Sequence, residues 1–225
     1  MPPDSRRGAT PVPPVTLVLA SASPARLTTL RQAGVDPVVV VSDVDEDLVV
    51  ADAFERYGAL EAGDVALLLA RAKAEDVTAS IDHEAIVLGC DSVLELDGAV
   101  HGKPASAAEA ITRWKRMRGR SGVLHTGHWL VDDRTEGTGA TLGATASTTV
   151  HFAPLTDDEV EAYVATGEPL RVAGAFTVDG LGGPFVASIE GDYHNVVGLS
   201  LPLLRDLLLE VGIGWFELAA GPPES

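Results

Sequence analysis

The stretch Thr16-Leu17-Val18-Leu19-Ala20-Ser21-Ala22-Ser23-Pro24-Ala25-Arg26 sets the fold class. Its first five residues form an apolar run bounded by turn-type residues, the pattern of a strand buried on both faces. Ser23 suits a helix N-cap and Pro24 the first helical position, where the N–H that proline lacks has no partner to lose. The helix so started reaches about Gln32, with Gly34 just past its end. A strand running straight into a helix through a short polar loop predicts an α/β unit.

The same alternation continues outward. Val38 to Val41 reads as a second strand and residues 43 to 47 as an acidic, solvated loop. Residues 64 to 79 carry Val65, Leu68, Leu69 and Ala72 on one side of a helix. A buried strand runs from Ala85 to Cys90 and ends at Asp91. A hairpin follows, Val93 to Leu96 and then Ala99-Val100, turning at Asp97-Gly98. A helix spans Ser106 to Arg118 and stops at Gly119; its basic end suits the C-terminal dipole. Two long strands, Val123 to Asp132 and Thr141 to Phe152, precede a capping box at Thr156 to Glu159 and a helix to about Ala165. A glycine-rich segment from Gly167 to Gly191 separates this from a last helix, Leu201 to Glu210. Interleaved elements without repeats predict one domain around a mixed sheet flanked by helices, over residues 15–212. Residues 1–14, rich in proline, read as a disordered leader, and 213–225 as a loose tail in which Trp215 and Phe216 can tuck against the body.

Charge narrows the partners. The chain has 16 Lys and Arg against 33 Asp and Glu, a net charge of −17, which argues against a nucleic-acid polymer or an anionic membrane surface. Any anion must be held by a few local cations, and the only lysines are Lys73, Lys103 and Lys115. No apolar run approaches the ~20 residues of a membrane span. A single cysteine, Cys90, and no signal-peptide pattern fit a cytoplasmic protein.

Several residues could carry chemistry, each beside a plainer reading. The helix opening at Ser23 would present unpaired N–H groups to a phosphate, with Ser21 and Ser23 hydroxyls and Arg26 beside them; an ordinary capped helix with a surface arginine has the same residues. Asp91, just past a buried strand, could hold a divalent metal or act as a base on water, or simply form a turn. Lys73 and Lys103 could be anion ligands or solvated charges. Cys90 reads as a small buried hydrophobe. His125 and His128, three apart in a strand, point to opposite faces and make a poor metal pair.

Taken in order, these pieces resemble the Maf family of nucleoside triphosphate pyrophosphatases. Leu19 to Arg26 is similar to the family's L-A-S-x-S-P-x-R, Val44-Asp45-Glu46 to its V-D-E, and Leu69 to Ala74 to L-A-x-x-K-A. Gly89-Cys90-Asp91-Ser92-Val93 resembles G-A-D-T/Q-V, and Gly102-Lys103-Pro104 matches G-K-P. Tyr163 to Pro169, Ala173 to Phe176 and Ile189 to Leu199 also fit, so the resemblance covers about residues 16 to 211. It implies an elongated inosine-triphosphatase-like (Maf/Ham1) α/β fold, with a cleft between the 16–104 and 120–200 halves. It implies hydrolysis of a nucleoside triphosphate, a pyrimidine or modified one, to the monophosphate and pyrophosphate. Asp91 would activate water. Ser21, Ser23, Arg26, Lys73 and Lys103 would hold the triphosphate, and Glu46 with Asp91 would bind Mg²⁺, Mn²⁺ or Co²⁺. Homodimers, division arrest and exclusion of modified nucleotides are further family traits.

The sequence departs from the family at three positions used to discriminate bases. Ala25 stands where one subfamily has Arg and another Trp, Ser92 where they have Thr or Gln, and Asp179 where they have Gln or Glu. Ionised Asp179 only accepts hydrogen bonds, which favours a base edge offering donors. Ser200 replaces a proline common after Gly-Leu. Two other function classes compete: a non-catalytic nucleotide-binding regulator of septum formation, and a nucleotidyltransferase. The retained Asp91, Lys73 and Lys103 speak against the first, and the glycine-free Ser21-Ala22-Ser23 loop against the second.

Overall fold

A computed structural model of the chain describes residues 15–82 and 84–218; the expected leader, 1–14, lies outside them. Among the described residues, seven strands form one mixed sheet in the order β2-β1-β3-β5-β6-β7, with β4 attached to β3. The strands are β1 (Leu17–Ala20), β2 (Val38–Val39), β3 (Ile86–Leu96), β4 (Ala99–His101), β5 (Ser121–Asp132), β6 (Thr141–Phe152) and β7 (Val186–Glu190). β1 runs parallel to β2 and β3, and the remaining pairs are antiparallel.

The strand-loop-helix reading at the N-terminal end holds. Helix α1 (Pro24–Gln32) is capped by Ser23, whose hydroxyl accepts from the Arg26 amide, and Gly34 takes a φ of 85° beyond its end. Helix α3 (Ala62–Ser80) lies on one face of the sheet, packing Ala74 and Val77 against Val18, Ala20 and Val87. α1 and α7 (Leu201–Glu210) lie on the other, where Leu30, Leu204 and Leu208 meet Leu17, Leu19, Ile86 and Leu88. Successive residues of β1 and β3 thus feed opposite cores, as a two-residue period requires. Beyond them, α4 (Ala107–Met117) and α5 (Asp157–Ala165) pack Trp114, Met117, Val160 and Tyr163 on Leu94, Leu96, Val150 and Phe152. Thr156 and Glu159 form the expected capping box.

Four expectations need correction. Residues 43 to 47 are only in part a loop: Asp45 caps α2 (Glu46–Tyr57), and Glu46 and Asp47 occupy its first turn, where acidic side chains complement the dipole. The strand expected to end at Asp91 runs on without a break through the hairpin's first arm, because Asp91 and Ser92 find polar partners. The glycine-rich segment contains β7, and α6 (Tyr193–Val197) follows it. The tail is packed rather than loose as far as Leu218: Ile213 and Leu218 are buried and Trp215 tucks against the same core as expected, whereas Phe216 does not and is 86% exposed; residues 219–225 lie outside the described residues.

Candidate active site

The site follows from where the strands stop. β1 covers β3 from Ile86 to Gly89, and β4 covers it from Leu94 to Leu96. β5 holds the opposite edge from Ile86 to Glu95. Cys90 to Val93 therefore have no strand on the β1 side among the described residues, and the sheet has a gap there. An unpaired strand edge leaves backbone polar groups in want of partners. Arg26 fills part of it, donating from Nη1 to the Cys90 carbonyl at 2.8 Å.

Alternation of β3 then distributes the chemistry across both faces. Gly89, Asp91 and Val93 face α3, and Cys90 and Ser92 face α1. Helix α3 buries Ala62, Val65, Ala66, Leu69, Ala70, Lys73, Ala74 and Val77. Lys73 is thus a lysine inside an apolar stripe, and that is the local signal that sets it apart. Its ammonium is 2.5 Å from Asp91 Oδ1 and 2.8 Å from Glu46 Oε1. The side chains of Lys73 and Asp91 are only 11% and 12% exposed, whereas Glu46 is 43% exposed. Burial alone raises the Glu46 pKa, but the hydrogen bond from Lys73 and the charges of Lys73, Lys103 and Arg26 outweigh it and hold the carboxyl below its usual value.

Arg26 is buried, and its guanidinium is largely committed. Nε donates to Gly198 O at 2.7 Å, Nη1 to Ser21 Oγ at 3.0 Å as well as to Cys90 O, and Nη2 to Ser92 Oγ at 3.1 Å. One of its five N–H groups is left over. Ser21 Oγ also accepts from the Ser23 amide, which shapes the loop before α1. Lys103 is exposed, on a turn whose Gly102 carbonyl is held by Arg113 Nη1 at 2.6 Å and the Gly174 amide at 3.1 Å. Lys103 makes no ion pair among the described residues, and its charge reaches Glu46.

The structure thus brings together Ser21, Ser23, Arg26, Glu46, Lys73, Asp91 and Ser92, with Lys103 near by. Ala25 is half-buried in the first turn of α1. Asp179 is exposed in the loop ahead of Gly180, with no hydrogen bond or ion pair to this cluster. Cys90 is fully buried, and burial pushes its thiol up to about 12, so it is no nucleophile. His125 pairs with Glu95 and Ser147, while His128 is buried, so the two do point apart. Sequence reasoning missed Thr126, Asn195 and Gly198, which stand behind Arg26 and Ser92. Their contacts with Arg26, Ser92 and one another span 34 to 172 positions of chain; Asn195 and Gly198 lie within the family-like string Ile189 to Leu199, whereas no local pattern marks Thr126.

The profile of the family described as "Maf-like protein" matches residues 16–211. The chain belongs to this family. A nucleoside triphosphate pyrophosphatase of Salinispora tropica is 59% identical over 204 residues, spanning 89% of this chain and 85% of its own length. The protein of the same name from Streptomyces coelicolor is 56% identical over 212 residues, spanning 94% and 98%. A HAM1 protein from Coxiella burnetii aligns with 63% of this chain and 74% of its own at 19% identity and a TM-score of 0.37. The gap in β3, with Asp91, Lys73 and Arg26 around it, lies wholly inside the Maf-like match.

Proposed function

We propose that this Maf-like protein hydrolyses nucleoside triphosphates to the monophosphate and pyrophosphate, with Asp91 as general base. The activity class rests on its relatives, and the assignment of Asp91 rests on one observation. Lys73 occupies Asp91 Oδ1, while Oδ2 has no hydrogen bond among the described residues. The free oxygen takes a proton from water as that water attacks the α-phosphorus. The bond from the α-phosphorus to its bridging oxygen breaks, and the electron pair leaves with pyrophosphate.

Charge on that leaving group needs neutralisation. Lys73, Lys103 and the spare N–H of Arg26 provide it, with Ser23 and the amides at the start of α1. No three His, Cys, Asp or Glu side chains gather as a ligand set among the described residues. Glu46 and Asp91 do meet on one ammonium, and two carboxylates completed by substrate phosphate oxygens are a donor set suited to Mg²⁺ or Mn²⁺. They fit such an ion, which would supply further neutralisation of the triphosphate when bound.

Pyrophosphate release from a panel of nucleoside triphosphates, with Mg²⁺, Mn²⁺ or Co²⁺ added or EDTA present, tests the reading. Asp91→Asn keeps the shape and loses the base, so kcat drops at least about a hundredfold while nucleotide binding persists. Binding without turnover in the wild type would favour the regulator instead. Full activity of Asp91→Asn would remove Asp91 from the mechanism.

A further inference from the structure

The hydroxyl groups behind Arg26 form a chain whose direction can be worked out. Thr126 is fully buried, and its Oγ1 donates to the Asn195 carbonyl at 3.1 Å, an acceptor that has no proton to give. A threonine hydroxyl has one proton. The 2.9 Å contact between Ser92 Oγ and Thr126 Oγ1 must then use the Ser92 proton. Ser92 in turn accepts from Arg26 Nη2 at 3.1 Å. The chain runs one way: Arg26 to Ser92, Ser92 to Thr126, Thr126 to the backbone of α6. The Arg26 Nε bond to Gly198 O ties the guanidinium to the end of the same helix.

We propose that Thr126 is a positioning residue for nucleotide binding: through Ser92 it orients the Arg26 guanidinium so that its one uncommitted N–H serves the triphosphate. The proposal rests on the reading of Arg26 as a phosphate-binding cation. Ser92 has no proton left for a nucleotide, so towards one it only accepts. Without Thr126, the Ser92 hydroxyl turns freely, and Arg26 loses an ordered partner.

The test is a double-mutant cycle of Thr126→Val and Ser92→Ala. It reads KM and kcat for a hydrolysed triphosphate, and by calorimetry the Kd of an analogue with a methylene between the α and β phosphorus atoms. Each single variant should raise KM and Kd about tenfold, the worth of one hydrogen bond to a charged group, with kcat within about twofold. The double variant should be no worse than Ser92→Ala alone, because both act through one chain. Thr126→Ser, which keeps the hydroxyl, should bind within about twofold of wild type, which a loss of packing at Thr126 would not allow. Additive penalties, an effect on kcat alone, or failure of Thr126→Ser to restore binding would each overturn the relay. A wild type that binds the analogue but hydrolyses nothing defeats the pyrophosphatase reading instead, and the Kd cycle still decides the relay. A wild type that binds no analogue overturns both.

Discussion

Gly89→Ala isolates the packing that brings Lys73 to Asp91. A Cβ at Gly89 would lie 2.1 Å from Ala70 O and 2.9 Å from both Ala74 N and Ala74 Cβ. Two of the three are backbone atoms of α3, so no rotamer relieves the overlap. Restoring ordinary contact takes a shift of roughly 1 Å of α3 from the sheet. Lys73 lies one turn along from Ala70 and moves with the helix, and its contact with Asp91 Oδ1 is only 2.5 Å long. Overpacking of this kind costs about 3 kcal/mol, or roughly 6–12 °C in Tm for a chain of this size. A catalytic group misplaced by ~1 Å costs about a hundredfold in rate. Thermal unfolding followed by circular dichroism, alongside pyrophosphate release at a temperature where the variant is folded, reads both effects. Gly63→Ala on the same helix is the control. Its Cβ would meet Thr145 Cγ2 at 3.5 Å, an ordinary contact, and alanine is the better helix former by ~1 kcal/mol. It should leave Tm unchanged or raised and activity intact. If Gly89→Ala kept Tm within about 2 °C and kcat within about twofold, close approach of α3 at Gly89 would not be what places Lys73.

Two further outcomes are expected. Burial pushes the His128 imidazole down from its ordinary 6.5 to about 4, and the ring stays neutral, with Nδ1 donating to Thr126 O and Nε2 accepting from the Ser200 amide. The unfolded chain then binds the extra proton, so stability is full above about 6.5 and falls as pH drops towards about 4, by roughly 3 kcal/mol in all; denaturant melts at pH 7 and 4.5 should show most of that loss in the wild type and little in His128→Gln, and equal losses in both would sink the argument. Cys90, with its thiol pushed up to about 12 by burial, should resist a disulfide reagent at pH 8 in the native protein and react at once in denaturant; rapid native labelling would show that the core beside Asp91 opens.

Short-range chemistry made much of this protein legible from its residues alone. Ser23 with Pro24, and Thr156 with Glu159, announce helix starts because a cap is satisfied within three positions. Ordered strings from Leu19 to Leu199 carried the family, and the Maf-like match covers the same span. Helix α2 was obscured because Asp45-Glu46-Asp47 serves a solvated loop and a first helical turn equally well. Ser200 stood out only as a missing proline. In the fold its hydroxyl caps α7 while its amide, which a proline would lack, donates to buried His128. The break read at Asp91 was a misjudged polar pair: a carboxylate and a hydroxyl inside an apolar run look like a turn until their partners are known. Those partners are Lys73 on one face and Arg26 and Thr126 on the other, and each depends on register. Only the tertiary structure decided that β1 ends opposite Gly89 and that β4 resumes the edge at Leu94. That leaves an open stretch of β3 where both faces of the sheet meet. Strand ends and registers are settled by pairing between distant segments, whose energy is shared along whole strands. No local pattern of residues contains them, and the site exists because of them.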